Sequence, residues 1–185
     1  MAKKKSPSKK TSQIGKGAAR LTHIDAKGRA AMVDVGAKEV TSRRAVAEAR
    51  VNISAELAKR IAQNSISKGN VLDVARLAGI QAAKRTDELI PLCHSLPLDS
   101  INVCVELRRG HVYVWAEAKV TAKTGVEMEA LLAVAVAALT VIDMGKSIDR
   151  SMTIEGMRML EKEGGRSGHF RAVTAAKPSR KRVGI

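Results

Sequence analysis

Two stretches concentrate the side chains able to move protons or hold an anion. The first, Gly79–His94 (GIQAAKRTDELIPLCH), sets Lys84, Arg85, Asp87, Glu88 and the neighbours Cys93 and His94 close together. A solvated helix end accounts for the four charges. Cys93 and His94 alone do not make a zinc site, which takes three or four ligands, so no metal is expected. Pro91 and Pro97 keep this segment irregular, and such a backbone can present a group like His94 to a ligand. The second stretch, Val126–Lys146 (VEMEALLAVAVAALTVIDMGK), opens with Glu127 and Glu129 and ends with Asp143 and Lys146. The two glutamates complement the dipole of a helix start, which explains them without a site. Asp143 and Lys146 are three apart and share a helix face. On a surface such a pair is worth only about 0–1 kcal/mol. Here it ends a nearly pure apolar run, where partial burial would let carboxylate and ammonium tune each other for proton transfer.

Geometry limits how these groups can act together. Glu129 and Asp143 are fourteen residues apart, hence about 21 Å along a helix and about 40° from the same face. One small substrate can hardly touch both in one subunit, so a site using both would draw them from two chains. Lys68 precedes a helix start in a Lys-Gly-Asn turn, a combination that can hold phosphate with an ammonium and backbone amides. Lys162, near Gly164–Gly168 (GGRSG), is a second candidate of this kind. Either also fits an ordinary turn or a solvated chain exit.

The elements that must carry these groups follow from periodicity. Ala45, Ala47, Ala49, Val51 and Ile53 recur with period two and predict a strand over 41–53. Met32–Val35 is a shorter extended piece. Ser54 is a good N-cap for a helix ended by the Ser67–Asn70 loop. Val71, Val74, Ala75, Ala78 and Ala82 predict a second helix to about Arg85. Ile101, Val103, Val105 and Leu107, then Val112, Val114 and Ala116, predict a β-hairpin turning near Arg109–His111. A long helix from about Val126 to Ser147 is apolar nearly all round and must be buried, against a sheet and a partner. Met152–Leu160 predicts a last strand. The order strand, helices, strand, strand, helix, strand is an α+β, ferredoxin-like split βαβ arrangement, an antiparallel sheet with helices packed on one face. That fold carries many activities, RNA binding among them.

Composition narrows the class. The 185 residues are 45% hydrophobic but only 2% aromatic, so aliphatic side chains must build the core. One Trp, one Tyr and one Phe disfavour a base-stacking surface, although Tyr113 and Trp115 share a strand face and offer a small platform. Two cysteines, without a Cys-x-x-Cys pair, fit a reducing cytoplasm. The net charge of +15 sits in the tails: residues 1–20 and 171–185 hold twelve of the 33 Lys/Arg and none of the 18 acids. Residues 21–170 therefore carry about +3. The expected organisation is a disordered basic arm over 1–20, a domain over 21–170 and a basic tail over 171–185, with tails that bind polyanions weakly. No apolar stretch follows the basic start as in a signal peptide. The run Ala130–Ile142 is shorter than the roughly 20 residues of a bilayer span, so no membrane is expected.

Taken in order, Leu21–Asp25 (LTHID), Met32–Val35 (MVDV), AGIQAAKRTDELIPLCH, Lys123–Leu131 (KTGVEMEAL) and Asp143–Lys146 (DMGK) resemble the cyclic pyranopterin monophosphate synthase family of molybdenum-cofactor biosynthesis. The resemblance runs from Leu21 to Phe170. It implies a ferredoxin-like subunit in a homohexamer, a trimer of dimers, with sites at subunit interfaces. It implies a lyase acting on a small nucleotide-derived molecule, 3′,8-cyclo-7,8-dihydro-GTP, which becomes cyclic pyranopterin monophosphate as pyrophosphate leaves. By motif, Asp143 and Lys146 are the implied acid/base pair. Leu92, Cys93, His94, Met128 and Glu129 are implied substrate contacts, and Lys68 and Lys162 handle phosphate or assist proton transfer. No cofactor motif is present. Ser95 stands where the family usually has Pro, and Gly145 where it often has Cys, which predicts a looser helix end. A basic RNA-binding module on the same fold is the competing class.

Overall fold

A computed structural model describes residues 27–165 and 168–173. The basic arm, the Leu21–Asp25 motif, Arg166, Ser167 and the tail beyond Val173 lie outside the described residues. The chain divides into two units at Val33/Asp34. Of the first, the described residues are a turn at Lys27–Gly28 and a stretch to Val33 that contributes no regular strand or helix. Among the described residues, every helix and every regular strand lies in the second unit.

The second unit is built on an antiparallel sheet. Strand β1 (Thr41–Asn52) lies at its centre, between β3 (His111–Ala122) and β4 (Thr153–Glu163). Strand β2 (Ser100–Arg108) forms the far side of β3, and β5 (Phe170–Arg171) edges β4. The order β2-β3-β1-β4, with helices between β1 and β2 and between β3 and β4, is the expected split βαβ arrangement. The hairpin turns where the alternation breaks: Arg108 pairs with His111, and Gly110 takes φ +80°.

Small residues let the layers close. Ala45 faces Ala118 and Ala47 faces Ala116 across the β1–β3 ladder, all fully buried. Helix α4 (Glu127–Gly145) packs on this face with Ala130, Ala133, Ala137 and Ala138 buried. Helix α2 (Val71–Ala83) packs on α4 and β2. At their crossing a Cβ on Gly79 would lie 2.8 Å from the Ala133 carbonyl oxygen. Helix α1 (Ala55–Ala62) starts as expected, with the Ser54 hydroxyl accepting from the Leu57 N–H. The other face of β1 mixes charged residues with Val46 and is covered at Glu48, which is buried and accepts from Tyr113 Oη (2.8 Å) and Arg158 Nε (2.9 Å).

Several boundaries differ from the sequence reading. Helix α2 ends at Ala83, and buried Thr86, its hydroxyl donating to Ala83 O, opens a separate four-residue helix, α3 (Thr86–Leu89). Strand β4 runs on to Glu163. Helix α4, with 19 residues, is long and apolar enough by composition to cross a membrane, longer than the apolar run alone indicated. It packs instead as a core helix against β1, β3 and α2, with half of its length buried.

Candidate active site

The residues singled out by sequence fall into two groups, one at each end of α4. At the C-terminal end, Asp143 Oδ1 accepts from Lys146 Nζ (2.7 Å) and Oδ2 accepts from Lys68 Nζ (2.9 Å). Lys68 also donates to the Asp143 main-chain oxygen at 2.9 Å, close to the bare carbonyls of the helix end. All three side chains are exposed, so Asp143 is not drawn into the partly buried surroundings that the apolar run suggested. Its proton affinity is set by these two partners: the hydrogen bonds from Lys146 and then from Lys68, reinforced by their charges, pull its pKa down to about 2.

Local packing fixes this helix end. Gly145 is buried, and a Cβ there would meet Leu57 Cδ2 at 2.7 Å. The glycine thus admits α1 against α4. Asp149, also buried, accepts from Ser54 N (2.7 Å), Ser151 N (2.9 Å) and Ser151 Oγ (2.6 Å), tying the segment after α4 to the start of α1. Lys68, Asp143, Lys146, Asp149, Arg150 and Met152 line a depression of about 450 Å3. The phosphate cradle expected around Lys68–Asn70 is only half present. The Asn70 side chain caps α2 by accepting from Leu72 N and Asp73 N, so these amides are taken, and Lys68 turns to Asp143.

The other group sits at the N-terminal end. Glu129 is buried at 4% exposure. Burial, offset in part by its own N–H and reinforced by Glu127 and Asp87, raises its pKa to about 7. A carboxyl balanced there can give or take a proton at neutral pH. The Cys93 thiol is pushed up by burial, then by Glu129 and Asp87, which keeps it protonated and a poor nucleophile. The loop carrying it is closed by Cys93 N donating to Ile90 O (3.0 Å), and Ser95 Oγ donates to Asp87, so the residue replacing proline ties the loop to α3. Leu92 and His94 are half-buried in the same loop, and Met128 is exposed. Lys162 Nζ reaches Glu127 Oε1 at 3.0 Å, which places it in this group and away from Asp143.

The chain thus brings Lys68, Asp143 and Lys146 together, and separately Cys93, Glu129 and their neighbours. The two groups stand about 21 Å apart along α4. Sequence reasoning passed over Asp149 and Arg150, which carry no motif, although their place just after DMGK was a usable signal. Glu161, Glu163 and His169 also lie within 4.8 Å of one another and could hold a metal. The Arg44 guanidinium already bonds both glutamates, at 2.9 and 3.3 Å, so ion pairing accounts for this cluster.

Comparison with known proteins extends over the same ground. A cyclic pyranopterin monophosphate synthase of Parvibaculum lavamentivorans is 52% identical over 157 residues, 84% of this chain and 98% of that protein. One of Thermomicrobium roseum is 54% identical over 155 residues, 83% and 93% of the two chains. One of Magnetococcus marinus is 52% identical over 152 residues, 81% and 93%. The profile of the MoaC family matches residues 32–165, a span holding both groups at the ends of α4, and the chain belongs to that family.

Proposed function

We propose that this chain is a cyclic pyranopterin monophosphate synthase, a lyase that converts 3′,8-cyclo-7,8-dihydro-GTP to cyclic pyranopterin monophosphate with release of pyrophosphate in molybdenum-cofactor biosynthesis. The observation that carries the reading is the Lys68–Asp143–Lys146 cluster beside a depression of about 450 Å3, within the usual range of small-molecule sites. The names of relatives more than half identical along most of their length support it. A sugar hydroxyl must attack the α-phosphate while pyrophosphate leaves, and ammonium groups stabilise the charge that develops there. Rebuilding the pterin ring needs proton transfers. Glu129, with a pKa of about 7, fits proton exchange at neutral pH. Asp143 is a weak base while both lysines hold it. An anionic substrate that shares those lysines raises its pKa toward the ordinary carboxylate range and readies it, with Lys146, to move protons.

In this reading Leu92, Cys93, His94, Met128 and Glu129 contact substrate, Lys162 assists with phosphate or protons, and the site is completed across an interface in a homohexamer. Exposed apolar side chains on the helices, Leu77 on α2 and Leu139 on α4, support such assembly. The enzyme works in the cytoplasm, away from membranes, with residues 21–170 as the catalytic domain and tails dispensable for chemistry. The RNA-module alternative loses its platform, because Tyr113 is buried at 1% exposure with the Arg108 guanidinium 3.7 Å from its ring centre. The test is to incubate purified protein with the cyclised GTP precursor and assay pyrophosphate and the pterin product. Absence of both from correctly assembled protein overturns the proposal.

A further inference from the structure

We propose that Arg150 is a phosphate-binding residue of the depression at the C-terminal end of α4. The proposal rests on the function argued above and deepens it by naming the group that holds the substrate's phosphate chain.

Three cations line this depression: Lys68, Lys146 and Arg150. Two are already committed. Lys146 donates to one oxygen of Asp143, and Lys68 donates to the other and to the main-chain oxygen. An anion approaching either lysine must compete with Asp143 for it. Arg150 differs: among the described residues it has no acidic partner, and its side chain is exposed. Its neighbour Asp149 does not fill that role. The Asp149 carboxylate is buried and occupied by Ser54 N, Ser151 N and Ser151 Oγ, one of which belongs to the start of α1.

The backbone that carries Arg150 is pinned on both sides. Ile148 N and Asp149 N donate to Gly145 O at 2.9 and 3.0 Å, and Ser151 N closes onto Asp149. The guanidinium therefore projects from a fixed point at the rim of the depression. Less ordering entropy is lost when it binds than for a cation on a loose loop. A guanidinium presents a planar fork of donors that matches phosphate oxygens in pairs, whereas the lysines act as point charges. The division of labour follows from these contacts. Arg150 anchors a phosphate without disturbing Asp143, and the lysines exchange between Asp143 and the reacting end.

The test uses the full-length protein, pyrophosphate as the probe in calorimetric titration, and steady-state turnover of the cyclised GTP precursor. Arg150→Ala is expected to weaken pyrophosphate binding about tenfold and raise KM by a similar factor, the scale of one charge-assisted contact, with thermal stability unchanged. Arg150→Lys should recover part of both. Arg109→Ala, at the distant hairpin, removes the same charge and should alter neither. Equal weakening by Arg150→Ala and Arg109→Ala would mean that only net charge is felt, and the proposal falls. Unchanged pyrophosphate affinity in Arg150→Ala also overturns it. If the unaltered protein fails to turn the precursor over yet binds pyrophosphate through Arg150, the phosphate site stands and the assigned reaction is what fails.

Discussion

At Asp143, two ammonium groups decide which protonation state meets the substrate. With its pKa at about 2, the carboxylate is ionised throughout the physiological range, and the stability its ion pairs supply is present above the ordinary pKa near 4 and lost as pH falls through about 2. The side chain is exposed, so Asp143→Asn should leave the fold intact while lowering turnover at least about 100-fold, the lower bound for a general acid–base group. Near-normal turnover in the folded variant removes Asp143 from the mechanism. Glu129 has the opposite sign. Its pKa is raised to about 7, so the native state binds the extra proton and stability declines as pH climbs from about 4.5 to 7. Glu129→Gln should flatten that decline in urea titrations at pH 5 and pH 8; an equally steep decline in the variant assigns the slope to another group. Sequence spacing made the Asp143–Lys146 pair legible, because three residues on a helix are neighbours. It could not reveal that Lys68, 75 residues away, binds the same carboxylate. Nor could it reveal that Cys93 and Glu129 lie close enough for charge to be felt, since tertiary packing alone creates both.

Helix α4 links these residues, and a glycine at each of two contacts lets its neighbours approach. At Gly79 an added Cβ meets the Ala133 carbonyl oxygen at 2.8 Å; at Gly145 it meets the end of the Leu57 side chain at 2.7 Å. A backbone atom cannot step aside, whereas Leu57 Cδ2 can rotate. Replacing glycine by alanine gains about 1 kcal/mol of helix propensity. Overpacking costs about 1–3 kcal/mol. Gly79→Ala should therefore be clearly destabilising, and Gly145→Ala much less so, read as urea midpoints. A Gly79→Ala protein as stable as its parent would mean that α2 shifts freely over α4. The long elements were legible because period two and period 3.6 repeat over enough residues in β1, the β2–β3 hairpin and α4. Helix α3 and strand β5 span four and two residues, too few for any period, and only the hydroxyl of Thr86 and the edge of β4 define them.

At the scale of the whole molecule, the two groups of site residues lie at opposite ends of one helix. Within one chain the Lys68–Asp143–Lys146 cluster and the Cys93–Glu129 pair stand about 21 Å apart, beyond the reach of one small substrate. Leu77 of α2 and Leu139 of α4 are exposed apolar side chains on the helical layer. A second chain that covers this layer can bring its own Glu129 end to the first chain's Asp143 end. The expected consequence is complementation. Glu129→Ala and Asp143→Asn proteins, each inactive alone, are mixed under conditions that exchange subunits. In a mixed pair with shared sites, one site carries both lesions and the other carries neither, so about half the normal activity per mixed pair should return. If each site is built within a single chain, every site keeps one lesion and the mixture stays inactive. Native mass spectrometry settles whether mixed oligomers formed. Inactive mixed oligomers would separate the two helix ends functionally and leave Glu129 as a buried carboxyl outside the Asp143 site.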